Sequence, residues 1–465
     1  MRSSPSRTLS IPELRSAVRG RVIAPDDPDY DAARTVVSGE YDRRPGAIVR
    51  VADAADVARV ISVARDTGLE LAVRSGGHSG AGHGTTDGGI VIDLRDMKAL
   101  EIDAEGRTAW AGAGLTAAEV TTAVAAHDLA IGFGDTGSVG IGGITLGGGV
   151  GYLVRKHGLT IDSLLAADIV TADGEVRRVD AESDPDLFWA IRGGGGNFGV
   201  VTRFKFRLHE LPEVVGGILV LPANAETVAG FIAASQAAPE ELSTIANVMN
   251  CPPMPFVAEE HHGKLVIFGL LVYAGDSAAG EKAMAPFRAL ATPLADLLRP
   301  MTYPEIFFPE EEGAEYHPLA VARTMFVDRV GLGEAEKIVE SLAASDAPMR
   351  VAQLRVLGGA MSRVRDDATA FAHRASRIMV NVAAFYEGPT DRPVREKWVV
   401  DLVAALGQGD DGAYVNFLVD EGEERVRAAY PGRTWDRLAA IKARYDPGNL
   451  FRVNQNIPPV AGAGP

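Results

Sequence analysis

Arg44–Ser79 reads RPGAIVRVADAADVARVISVARDTGLELAVRSGGHS. Its first apolar run, Ala47–Val51, predicts a strand. Asp53 or Asp56 then caps a helix on which Val57, Val60, Ile61 and Ala64 fall at helical spacing. Leu71–Val73 predicts the next strand and completes a β-α-β unit. That strand runs straight into Arg74-Ser75-Gly76-Gly77-His78-Ser79. Small residues after a strand let backbone N–H groups close on an anion such as a pyrophosphate. A histidine inside such a loop lies beside the ligand, and imidazole is a good nucleophile at neutral pH. Taken alone, Gly76-Gly77-His78 favours the plainer reading of a tight turn with a structural histidine.

Working outward, residues 1–45 predict a short helical lead-in followed by polar turns, and Ile90–Leu94 a short strand. Residues 108–131 predict a strand and then a helix around Ala117–Ala126. Next comes GFGDTGSVGIGGITLGGGVG at 132–151, in which nearly every second residue is glycine. Such a chain can run flush along a cofactor and donate backbone hydrogen bonds. Gly132-x-Gly134-x-x-Gly137 and Gly194-x-Gly196-x-x-Gly199 both match the dinucleotide fingerprint formally. Neither opens a clean β-α-β unit with an acidic residue at the right distance, so the Rossmann reading is rejected. Ile161–Ala172 and Glu175–Val179 predict strands, Pro185–Ile191 a helix and Val200–Leu208 a strand. The four glycines before Asn197 again suggest backbone against a ligand.

After about residue 213 the glycine-rich loops thin out, and helical and strand patterns alternate to about 410, as in Val266–Tyr273 and Val351–Leu357. The closing segment holds a helix at Thr434–Tyr445 and an extended tail. Tyr414-Val415-Asn416 has strand spacing, which puts both polar side chains on one face. A buried tyrosine can act as a general base if its pKa is lowered, and the alternative is a strand tyrosine with a satisfied hydroxyl.

Composition narrows the function classes. The 465 residues carry 46 basic and 62 acidic side chains, a net charge of −16, which argues against a nucleic-acid partner. Glycine is enriched, at 52 residues, about 11% against a usual 7% or so. No stretch approaches a transmembrane span, and Met1–Val18 has no apolar core of a secretory signal, so no membrane partner is expected. Cys251 is the only cysteine, which makes a cytoplasmic location the expectation. His261-His262 is the only paired histidine, and without an HExxH or CxxC pattern no metal site is expected.

Taken in order, these segments resemble the FAD-binding fold of the vanillyl-alcohol-oxidase superfamily, and within it the berberine-bridge-enzyme branch with the 6-hydroxy-D-nicotine oxidases. The motifs that carry the likeness are Arg44–Ser79, GGIVIDL, SVGIGGITLGGGVGYLVRKHGL, DLFWAIRGGGGNFGVV and the closing YVNF with YDPGNLFRVNQNI. The resemblance implies an α+β fold: a two-lobed FAD-binding domain (1–212, core from about 40), an inserted antiparallel-sheet substrate domain (213–410), and a C-terminal segment (411–465) returning to the first domain. It implies covalent FAD on His78. Further implied contacts are Arg74, Ser75, Gly76, Gly77 and Ser79; Thr136, Val139, Gly140, Gly142, Gly143, Gly147 and Gly149; Asn197 and Val200; and Asn454 and Asn456. Many relatives add a second bond from a cysteine, and Thr136 stands at that point, so a single linkage is expected, with a somewhat lower flavin potential. Val139 matches a position where valine accompanies oxidase behaviour, so O2 is the expected electron acceptor. Tyr414, Asn416 and Gln353 match residues on the substrate side, Gln353 standing where some relatives carry a catalytic carboxylate, with Arg355 on the same face. The implied activity is oxidation of a carbon bearing a hydroxyl or amine in a small secondary-metabolite-like molecule. A carbohydrate oxidase, or a flavin-binding protein without redox turnover, are the alternatives. A monomer or homodimer is expected.

Overall fold

The computed structural model describes residues 9–307 and 317–460. The lead-in before Leu9 and the end of the tail lie outside the described residues. Strands β1 (Arg21–Ile23), β2 (Ala47–Arg50), β3 (Leu71–Arg74) and β4 (Ile90–Asp93) form a sheet in the order β1-β2-β4-β3. The expected β-α-β unit is present, but its strands are not neighbours: β4 lies between β2 and β3, parallel to both. Helix α1 (Ala54–Thr67) is capped by Asp53, whose carboxylate accepts from Asp56 N at 3.0 Å, and ends at Gly68 in the left-handed region. Asp56 is instead buried and accepts from Arg19 N, Gly20 N and Ala52 N, tying down the lead-in. The anticipated face Val57, Val60, Ile61 and Ala64 is fully buried.

A second, antiparallel sheet follows, built from β5 (Leu100–Asp103), β6 (Thr108–Gly112), β7 (Leu164–Val170), β8 (Val176–Asp180) and β9 (Val200–Arg207) in the order β5-β6-β9-β7-β8. Between β6 and β7 come α2 (Ala117–Ala125), closed by a capping box of Thr116 and Glu119, and the glycine-rich segment. That segment contains α3 (Ile141–Leu146) and leads to α4 (Val154–His157). The sequence suggests no helix at α3, because glycine is a poor helix former; here tertiary contacts override propensity.

The third sheet spans β10 (Val214–Pro222), β11 (Leu242–Asn250), β12 (Leu265–Tyr273), β13 (Ala320–Val327), β14 (Arg350–Val356) and β15 (Ile378–Phe385), ordered β10-β12-β11-β14-β15-β13, with Ala295–Asp296 and Arg299–Met301 pairing on β10. Four helices cover one face through Phe231, Phe287, Ile338 and Leu402, each such burial contributing about 1.5–3 kcal/mol. On β14, Ala352, Leu354 and Val356 join that core; the strand's period of two turns Gln353 and Arg355 to the opposite face. Helix α5 (Arg433–Tyr445) returns to the first lobe, where Leu438, Ile441 and Tyr445 pack in one core with Val57 and Phe204. The result is an α+β architecture, and no described helix is long and apolar enough to cross a membrane.

Candidate active site

The loop after β3 crosses the glycine-rich segment at van der Waals distance. A Cβ on Gly76 would sit 2.3 Å from Gly140 N, and one on Gly140 2.2 Å from Gly76 N. Ser75 fastens the crossing: its Oγ donates to Ala113 O at 2.6 Å and accepts from Gly142 N at 3.2 Å. These glycines are therefore needed by the protein itself, a reason beyond approach to a ligand. His78 lies half-buried in this loop. Gly77 takes a positive φ, and Ser79 Oγ accepts from Ala81 N and His83 N, shaping the turn that follows. Arg74 is spent on the scaffold: it is buried, pairs with Asp93 at 2.8 Å and donates to Ala33 O. Burial raises the Asp93 pKa, but Arg74 and Arg95 together outweigh it and hold the carboxyl below its usual range. Val139 O accepts from Ala117 N at 2.9 Å, and Thr136 is exposed.

The second glycine run is held from the C-terminal segment. Asn197 Nδ2 donates to Gly194 O and Gln455 O, and its Oδ1 accepts from Ile457 N at 2.9 Å. Beneath it, the buried Lys442 Nζ donates to Asn197 O at 2.7 Å, Asp446 Oδ2 at 2.6 Å and Phe451 O at 2.8 Å. Asn454 Nδ2 donates to Gly196 O at 3.2 Å. Val200 is buried at the start of β9 and pairs with Val170, so its side chain belongs to the core.

Tyr414 and Asn416 do meet, though not as strand neighbours: Val415–Phe417 is a 3₁₀ turn. Asn416 Nδ2 donates to Tyr414 Oη at 2.9 Å and to Ile144 O at 3.0 Å. Gly149 N and Val150 N also donate to the phenol oxygen, at 3.0 and 3.3 Å. A Cβ on Gly147 would fall 2.0 Å from Asn416 Oδ1, which fixes glycine there. The lowered pKa that would suit Tyr414 to base chemistry is not found. Burial pushes the phenol above its ordinary 10, and the three N–H donors offset this only in part. Across the junction, Gln353 Oε1 accepts from Arg355 Nε at 3.0 Å and Nη2 at 2.8 Å, while its Nε2 donates to Asn247 Oδ1 at 2.8 Å. Arg355 reaches on to Asp135 in the glycine-rich segment, with Nη2–Oδ2 at 2.5 Å, and lies 5.1 Å from the centre of the Phe417 ring.

The family described as FAD binding domain matches residues 45–180, and the family described as berberine and berberine like matches 413–458. The (R)-6-hydroxynicotine oxidase of Paenarthrobacter nicotinovorans is 32% identical over 461 residues, covering 95% of this chain and 97% of that protein. The chain belongs to the berberine-bridge-like FAD-linked oxidoreductases. The glucooligosaccharide oxidase of Sarocladium strictum is 27% identical across 94% of this chain and 92% of its own. The solved structure of 6-hydroxy-D-nicotine oxidase from Arthrobacter nicotinovorans superposes on this FAD-linked oxidoreductase with a TM-score of 0.84 at 29% identity, over 97% of this chain and 99% of that one. A chitooligosaccharide oxidase, at 23% identity and TM-score 0.81 over 96% and 99%, shares the fold.

The residues present fit FAD. Asn454 Oδ1, Asn456 Oδ1 and Thr145 Oγ1 are buried without a hydrogen-bond partner, a condition that costs about 1–3 kcal/mol each unless a ligand relieves it. A Cβ on Gly143 or Gly196 would meet no protein atom within 4 Å, so the protein's own packing does not require glycine there. Sequence reading of this oxidoreductase misses Asp135, Asn247 and Lys442. Asp135 and Arg355 are 220 residues apart, and no spacing rule connects them.

Proposed function

We propose that the chain is an FAD-dependent oxidase that removes a hydride from a carbon bearing a hydroxyl or amine in a small secondary-metabolite-like molecule. Its cofactor would be held by one covalent bond, from a ring nitrogen of His78. The observation that supports the reading is the pinned crossing of Ser75 and Gly76 over Gly140–Gly142, which brings the backbone two residues before His78 against the glycine-rich segment. A second linkage lacks a thiol: Thr136 has none, and Cys251 is buried in an apolar cluster with Val257, Val266 and Leu270. FAD, when bound, supplies the hydride acceptor and the route of electrons to O2, giving hydrogen peroxide. Asn454 and Asn456 would hold it from the C-terminal segment. Tyr414 and Asn416 hold the Gly149–Val150 backbone in place, and Gln353, clamped between Arg355 and Asn247, presents a fixed amide to the substrate side.

A neutral polyol is the second reading. It is favoured by Asn247, Gln353 and Asn381, which pair in one row across β11, β14 and β15 as uncharged hydrogen-bonding groups. Anaerobic bleaching of the bound flavin against a panel of alcohols, amines and sugars tests both readings, and bleaching by none of them rejects both. The linkage is checked separately. After acid denaturation and centrifugation the yellow colour should stay with the protein, and in His78→Ala it should leave with the supernatant. Colour lost from the wild-type pellet would end the covalent reading.

A further inference from the structure

Oxidation of an alcohol or amine needs a proton acceptor within hydrogen-bond reach of the departing proton. Three polar side chains of the inter-lobe junction are poorly suited. Gln353 is uncharged and clamped. Arg355 has no acceptor atom. Tyr414 is fully buried, and its oxygen is already ringed by Gly149 N, Val150 N and Asn416 Nδ2. We propose that Asp135 accepts the substrate's proton, held in place from the opposite lobe by Arg355. The inference deepens the oxidase reading and rests on it.

The geometry divides the two carboxylate oxygens. Oδ2 is taken by Arg355 Nη2 at 2.5 Å, whereas the nearest partner of Oδ1 is the hydroxyl of Thr136 at 3.4 Å. One oxygen is anchored and the other is left to accept. The Asp135 side chain keeps some solvent access, at 24% exposure against 5% for Arg355. A buried guanidinium is stable only when paired and hydrogen-bonded, and Arg355 is both. Its Nε and Nη2 also hold Gln353, whose Nε2 donates to Asn247, whose Nδ2 donates to Phe268 O at 3.1 Å. The carboxylate is thus oriented by a relay that ends in the backbone of the sheet. Arg355 cannot give up its proton, so it can orient Asp135 without competing for the substrate's.

In the step itself, the substrate's C–H bond breaks and both electrons leave with the hydrogen for the flavin. The adjoining O–H or N–H bond breaks, its electron pair closes the C=O or C=N bond, and the proton moves to Asp135 Oδ1. Asp135 passes from carboxylate to acid, keeps the proton while the product is bound to the reduced protein, and returns it to solvent on its exposed side when the product leaves.

The test compares wild-type holoenzyme with Asp135→Asn, Asp135→Glu and the double variant Asp135→Asn/Arg355→Met, which removes both charges together and so avoids stranding a buried cation. The panel compound that bleaches the wild type is used across a pH series, and dithionite serves as a reductant that delivers no substrate proton. Asp135→Asn and the double variant should slow reduction by substrate about 10²–10⁴-fold and lose the acid limb of the pH profile. Reduction by dithionite should be unchanged, and Asp135→Glu should recover part of the rate. Infrared difference spectra of substrate-reduced against oxidised protein should show the C=O stretch of a protonated carboxyl, absent in Asp135→Asn. Wild-type rates and an unaltered pH profile in the double variant, or a carboxyl band that survives in Asp135→Asn, would overturn the assignment of Asp135 while leaving the oxidase reading intact. A wild type bleached by no compound would overturn both.

Discussion

The Tyr414 phenol is where residues distant in sequence are made to agree. Its oxygen accepts from the backbone of two consecutive residues of the glycine-rich segment and from Asn416, so one atom sets the position of a loop that has little side chain of its own. Tyr414→Phe keeps the ring packed against Phe417 and Phe371 but removes the shared acceptor. Asn416 keeps its bond to Ile144 O, so Gly149 N and Val150 N bear most of the loss. The expected cost is about 1–3 kcal/mol, read as a lower urea midpoint at unchanged slope. A midpoint equal to wild type would show that water replaces the phenol without penalty. The same residue shows what is legible in a sequence at this scale. Tyr414 and Asn416 are close enough in the chain for a spacing argument to bring them together, although a 3₁₀ turn and not a strand does so. The pairing of Asp135 with Arg355 depends on how two lobes face each other, and the sequence carries no local mark of it. Arg74 and Asn197 look like ligand contacts because they flank glycines; their partners are protein atoms that only the fold brings near.

Elements with several turns or pleats of regular pattern are legible, and short ones are not. Helix α1 is set by four apolar residues and a cap, and β14 and β12 by runs of β-branched and aliphatic residues. β1 has three residues, too few to show a period, and the six-residue α3 is made by its surroundings. Helix α5 depends on one buried charge. Lys442 satisfies Asp446 and two carbonyls at once, with side-chain exposures of 0% and 1% for the pair. Burial lowers the lysine's pKa and Asp446 raises it in part. Lys442→Met would strand a buried carboxylate and free the carbonyls of Asn197 and Phe451. The expected loss is about 3–5 kcal/mol, with the 193–199 glycines and the Asn454–Ile457 segment loosened together. Limited proteolysis should then cut the C-terminal segment first while the inserted sheet stays resistant. Equal protection of both would mean that apolar contacts of α5 suffice.

At the scale of the whole molecule, the histidines set how the fold responds to acid. Nine are present, and in four of them burial is the main cause of a lowered pKa. His83 is pushed down to about 4, with Arg43 adding to burial. His157 is pushed down to about 3, with His209 and Lys156 contributing, and His209 to about 4, with Arg207, Lys156 and Arg107. His373 is lowered as well, against the pull of Asp410. Above the usual histidine pKa of about 6.5, folded and unfolded chains both hold these rings neutral. As pH falls, the unfolded chain takes up protons first, and in the folded chain His83, His157 and His209 do so only near 4 and below. The unfolded state therefore binds more protons across that window, and stability must fall with pH through it. Two groups oppose the trend, because burial raises the pKa of Glu40 and Glu421. Relief of the −16 net charge also opposes it, but that charge comes mostly from carboxylates, which begin to protonate only at the lower end of the window. The midpoint of thermal unfolding should thus drop between about pH 6.5 and pH 4, with the decline starting above the range in which the surface carboxylates titrate. His157 and His209 stack at 3.9 Å with their planes 14° apart, so His157→Phe/His209→Phe can retain the ring contact while removing both titrations. That variant should show a shallower decline over the same window, and an unchanged slope would assign the acid sensitivity to other groups.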